Sequence, residues 1–224
     1  MKNPMTPTTS KGGVAEAQQA DRLGRMPRRR PPRDMSDEQR AHIEGDQGTV
    51  LLDLLGERLA FERTAMGLYE ALLTKLEAAQ RSPGRPARAE VALLREQELA
   101  HFQLLGGAIE RLGGDPTALT PSADIGGIVS KGLLQAITDP RTTFTQALRI
   151  MVSVELMDKD AWETLVDLAE RIGLPDLAAE LLHAGDREEE QLAVVRTWLR
   201  RALEAEAGFA REAPPDEVSA AAPL

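Results

Sequence analysis

No cysteine occurs in the 224 residues. That absence excludes disulfides, zinc ribbons, rubredoxin-type iron centres and thiol nucleophiles, and it leaves carboxylate and imidazole to hold any metal. Aromatic residues make up only 3% of the chain. Runs of the β-branched residues that sheets prefer are missing as well, whereas Ala, Leu, Glu and Arg are abundant, so the chain reads as all-α. No apolar stretch approaches the roughly 20 residues of a membrane span. The basic segment from Met1 to Arg30 also lacks the apolar core of a secretory signal. The chain therefore reads as soluble and cytoplasmic, with no membrane partner. Positive charge is in deficit, at a net −9, which repels nucleic-acid phosphate. The one basic cluster, Arg25 to Arg33, sits in a Pro-rich segment and reads as a solvated linker.

What is present is helical periodicity. Residues 1–45 and 208–224 lack it and read as disordered tails, leaving 46–207 as one domain. Within that domain four long segments carry apolar residues at alternating three and four spacing. The first runs from about Gly48 to Gln80 and stops before Ser82 and Pro83. The second ends near Leu112, before Gly113 and Gly114. The third starts near Thr143, which forms a capping box with Gln146, and ends near Ile172 before Gly173. The fourth starts at Pro175 or Asp176 and fades near Ala207. Short connections make hairpins of the first and last pairs. The middle connection, Gly113 to Thr142, is long, and its apolar patch Ile125 to Ile137 predicts a short additional helix. Two hairpins joined by one long crossover between helices 2 and 3 make a four-helix bundle.

Each helix has an inward seam, and each seam is interrupted by polar residues at mid-length. On the first helix the break is Glu62, between Leu59 and Met66. On the second it is Glu98 and His101, on the third Glu155 and Asp158, and on the fourth Glu188 and Gln191. Mid-length residues of antiparallel helices meet at one level, so the breaks predict a single polar layer. No seam position carries Lys or Arg in this reading. Burying several unpaired carboxylates would consume a total stability of roughly 5–15 kcal/mol, so cations or protons must enter. Two divalent metals would neutralise four glutamates, and Glu-x-x-His puts both ligands on one helix face. Tyr69, Trp162 and Trp198, two turns from the layer, read as core packing.

Glu62 in Ala-Phe-Glu-Arg-Thr, Glu98-Leu-Ala-His101, Glu155 in Ser-Val-Glu-Leu-Met and Glu188-Glu-Glu-Gln191 together resemble the ferritin-like superfamily over about residues 46–205. Its di-iron members take one Glu from each of two helices and Glu-x-x-His from each of the other two. The resemblance is to bacterial stand-alone ferritin-like proteins, related to rubrerythrin and bacterioferritin but without a rubredoxin domain. It implies two iron ions as cofactor, with His101 and Glu62 on one, Glu188 and Gln191 on the other, and Glu98 and Glu155 bridging. It further implies ferroxidase or peroxide-reducing activity in iron and oxidative-stress handling, O2 or peroxide as partner, and a homo-oligomer. Gln191 stands where the family has His, which weakens the second position or favours Mn2+ there, with Asp158 as a compensating carboxylate. Two alternatives remain open at this point: iron storage or an encapsulated cargo protein, and a metal-free helical interaction module with a degenerate site.

Overall fold

Helix boundaries fall where side chains or glycines satisfy the loose backbone groups of a helix end. The computed structural model describes residues 43–79 and 84–209, and among them it contains five helices and no strand. They are α1 (Asp46–Ala78), α2 (Arg88–Arg111), α3 (Pro121–Thr138), α4 (Phe144–Ile172) and α5 (Pro175–Glu206). At the start of α4 the Thr143 hydroxyl accepts from the Gln146 amide at 3.2 Å, and the Gln146 side chain accepts from the Thr143 amide at 2.9 Å. That is the capping box expected from the sequence. Helix α4 ends at Gly173, whose φ of 81° no β-carbon-bearing residue adopts cheaply. Pro175 then opens α5, where a missing N–H is harmless.

Helix α3 extends beyond the apolar patch that suggested it and is fastened to α1 at both ends. At its start Thr120 donates its hydroxyl to the Asp53 carbonyl at 3.0 Å, and the Ser122 amide and hydroxyl donate to the Asp53 carboxylate at 3.0 and 2.6 Å. Near its end Lys75 donates to the Asp139 carbonyl at 2.6 Å. Because Asp53 precedes Lys75 along α1, the two helices run parallel. Elsewhere α1 packs on α2 and α4, and α4 on α5.

Ile43, within the stretch read as a tail, is buried in the core. Its backbone crosses α1 at Gly48, where an added β-carbon would lie 2.1 Å from the Ile43 carbonyl oxygen. Residues 1–42 of that tail, residues 80–83 and residues 210–224 lie outside the described residues. None of the helices is long and apolar enough to cross a membrane, among the described residues.

The buried apolar side chains form two clusters rather than one. The first gathers Leu55, Leu59, Leu105, Trp162, Leu165 and Leu181 with their neighbours. The second gathers Leu68, Tyr69, Leu72, Leu94, Met151, Val195 and Trp198 with theirs. On α1, α2, α4 and α5 alike, buried polar residues lie where the two clusters meet.

Candidate metal centre

Seven polar side chains occupy the gap between the clusters. Glu62, Glu98, His101, Glu155, Asp158, Glu188 and Gln191 are all buried, none more than 5% exposed. On each helix the polar residues are bracketed by buried apolar ones, Leu59 and Ala65 on α1, Leu94 and Leu105 on α2, Met151 and Trp162 on α4, Ala184 and Val195 on α5, so the layer is buried because its flanks are.

Four of the seven converge on one point. A ligand atom from each of Glu62, Glu98, His101 and Glu188 lies within 4.8 Å of all the others. His101 Nδ1 stands 2.6 Å from Glu188 Oε1 and 3.8 Å from Glu98 Oε2. Both carboxylate oxygens of Glu62, Glu98 and Glu188, and His101 Nδ1, make no hydrogen bond among the described residues. Buried polar atoms are nearly always paired, and lone pairs directed at one another without a proton or cation between them repel. The donor set of imidazole and carboxylate fits a borderline-hard ion such as Fe2+ or Mn2+. The His101 ring is steadied on its other side by an edge contact with Trp162, 5.3 Å between centroids.

Glu155 and Gln191 make a second group. The Tyr69 hydroxyl donates to Glu155 Oε1 at 2.6 Å and reaches Gln191 Oε1 at 3.3 Å, while Glu155 Oε2 and Gln191 Nε2 stay without a partner among the described residues. Tyr69 is thus more than the core packing read from sequence: it presents a proton to a carboxylate of the layer.

One reading is overturned. The seam was taken to be free of Lys and Arg, yet Arg58 is 1% exposed and sits at the edge of the layer. Its Nε is 3.2 Å from Glu62 Oε1 and its Nη1 3.2 Å from Asp158 Oδ1, with the guanidinium 3.9 Å above the Phe61 ring. Arg58 flanks seam residue Leu59 and precedes Glu62 by one turn, so a long flexible side chain reaches the interior from a position that one-residue-per-turn counting skips. Asp158 also differs from expectation. It faces Arg58 and the Glu62 side of the layer instead of supplementing Gln191. Glu188, expected on the other ion from His101, stands against His101.

Electrostatics follow from burial. Removal from water pushes Glu62 up to about 7, against the opposing pull of Arg58. Burial, and then the Glu188 charge, hold Glu98 well above the usual carboxylate range. Glu155 is raised by burial and Glu188, with Tyr69 pulling it down. Asp158 is likewise raised by burial, although Arg58 opposes it. Arg58 itself is raised, because Asp158 and Glu62 outweigh the penalty of its own burial. The layer is a group of acids that need protons or metal to be comfortable inside the protein.

No family model matches the chain, and no curated protein matches it in sequence. In structure the chain is similar to one described as a ferritin-like, diiron-carboxylate protein from Bacillus anthracis str. Ames, at 18% identity and a TM-score of 0.49. The match covers 74% of this chain and 99% of that one. What this protein's own layer can bind rests on the residues just described.

Proposed function

We propose that this chain is a ferritin-like metal-carboxylate protein, a four-helix bundle of α1, α2, α4 and α5 with α3 in its long crossover. Its resident metal would be iron, with manganese as the nearest substitute. The observation that carries the reading is the convergence of Glu62, Glu98, His101 and Glu188 on one buried point where, apart from the Arg58 ion pair to Glu62, their ligand atoms make no hydrogen bond among the described residues. Those four residues would hold the first ion. Glu155 and Gln191, with a shared contribution from Glu98 or Glu188, would hold a second.

Charge supports two divalent ions. Five buried carboxylates less the Arg58 guanidinium leave four negative charges, which two such ions neutralise. Iron bound there supplies one-electron chemistry toward O2 or peroxide, the basis of ferroxidase or peroxide-reducing activity. The protein's residues do the rest. Glu62, Glu98 and Glu155 give up their protons as ions enter, the two apolar clusters exclude bulk water, Arg58 pairs with Asp158, and Tyr69 donates its hydroxyl to Glu155 Oε1.

Anaerobic titration of the stripped apoprotein with Fe(II), followed by exposure to air while near-ultraviolet absorbance is recorded, tests this reading. It is run beside the variant E98A/H101A. Two irons per chain with prompt oxidation, both lost in the variant, is the expected result. One iron per chain would point to a disabled Gln191 half. No binding by the unaltered protein would sink the metal centre and favour the interaction module.

A further inference from the structure

We propose that the outward face of α3 pairs two copies of this chain, with the two helices antiparallel about a two-fold axis. Helix α3 is apolar on both sides. Ala123, Ser130 and Ile137 are buried on one side. On the other, Ile125 is 64% exposed, Ile128 67% and Val129 48%, with Gly132 and Ala136 exposed beside them. At 100° per residue these five positions fall within about a third of the helix circumference. A solvated helix face carries charge, and contiguous apolar surface of this kind marks an interaction site.

The pattern of the face selects its occupant. Asp124 and Lys131 are the only charged residues of α3, both are exposed, and neither makes an ion pair among the described residues. Seven residues apart, they lie on the same flank of the apolar stripe. A two-fold axis that makes helices antiparallel brings the same flank of each together, whereas a parallel pair brings opposite flanks together. In the antiparallel pair Asp124 of each copy meets Lys131 of the other, twice. A register two residues, about 3 Å, from direct opposition of that charged pair, still within reach of the lysine, sets Ile125 opposite Gly132 of the other copy and Ile128 opposite its Val129. Gly132 has open space where a β-carbon would be, so the large residue finds a notch. A contact in which residue i meets j and j meets i is what a two-fold dimer requires, and an unrelated partner has no reason to match it.

The test is sedimentation equilibrium of the full chain and four variants: I128E, D124K, K131E and the double swap D124K/K131E. Ile128 points to solvent, so circular dichroism should show all of them folded as well as the parent. A dimeric parent is expected. I128E should weaken it by about a hundredfold or more, and each single swap by about tenfold, because like charges then face each other twice. The double swap should return the dissociation constant to within a few-fold of the parent. A parent that is monomeric at high concentration, or a dimer indifferent to I128E, would overturn the proposal. Loss with I128E but no recovery in the double swap would overturn the antiparallel pairing.

Discussion

Arg58 is the side chain whose removal should be felt most in the apoprotein. It lies between Glu62 and Asp158 in a region without bulk water, so Arg58→Met leaves a buried acid without its cation. Breaking a buried pair on one side typically costs about 3–5 kcal/mol, while replacing both partners with apolar groups recovers most of it. Urea unfolding in the presence of chelator should therefore show a large loss for Arg58→Met and substantial recovery in Arg58→Met, Asp158→Leu. Strict additivity of the two substitutions would mean that the pair is not coupled. Tyr69→Phe removes the donor to Glu155 and should destabilise the apoprotein by about 0.5–1.5 kcal/mol in the same assay, the net worth of an ordinary hydrogen bond. Arg58 did not stand out in the sequence, and Tyr69 did so only as core packing near the layer. A tyrosine on an apolar seam looks like core, and an arginine beside a seam looks like solvent-facing charge, until side-chain length and the facing helices are known.

The helices carry their own instructions, and most of those are readable. Thr143→Ala should cost about 1 kcal/mol by thermal unfolding, because the Gln146 amide then loses its acceptor. Every end that the sequence placed for the four long helices lies within two residues of the observed one. Gly48 shows what local signals miss. Nothing in a glycine near a helix start announces that Ile43 will cross it, yet a β-carbon there cannot be accommodated without moving backbone. Gly48→Ala should destabilise the protein by about 1–3 kcal/mol, against a usual gain from Gly→Ala inside a helix. A stabilised Gly48→Ala variant would mean that Ile43 packs elsewhere.

For the whole molecule, stability, pH and metal are linked through the polar layer. A carboxyl whose folded pKa is raised binds its proton more tightly in the native state. Its contribution is fully present below the unfolded value near 4.3 and is lost as pH rises through the folded value. For Glu62, held up to about 7, that loss is on the order of 3 kcal/mol by pH 8, and Glu98, Glu155 and Asp158 act in the same direction. The chelated protein should thus melt at a lower temperature at pH 8 than at pH 6. Saturating Mn(II), which binds the deprotonated layer, should remove most of that drop and raise the melting temperature by several degrees at pH 8, since a ligand at 100 times its dissociation constant contributes about 2.7 kcal/mol. Scanning calorimetry at both pH values, with and without the ion, checks both statements. An apoprotein equally stable at pH 6 and 8 would show that the layer's acids are not raised.

The helical class, the helix ends and the meeting of Glu62, Glu98, His101, Glu155, Asp158, Glu188 and Gln191 in one buried layer follow from the sequence alone. Periodicity and capping are local properties, and helices of similar length paired in hairpins bring mid-helix residues to a common level. Which of those residues face one another is a different matter. That Glu188 stands against His101, that Tyr69 serves Glu155, and that Arg58 takes Asp158 away from Gln191 depend on helix rotation and side-chain reach of a few ångströms. A one-dimensional pattern that repeats about every 100° around the axis cannot resolve such distances, and only the tertiary structure decides them.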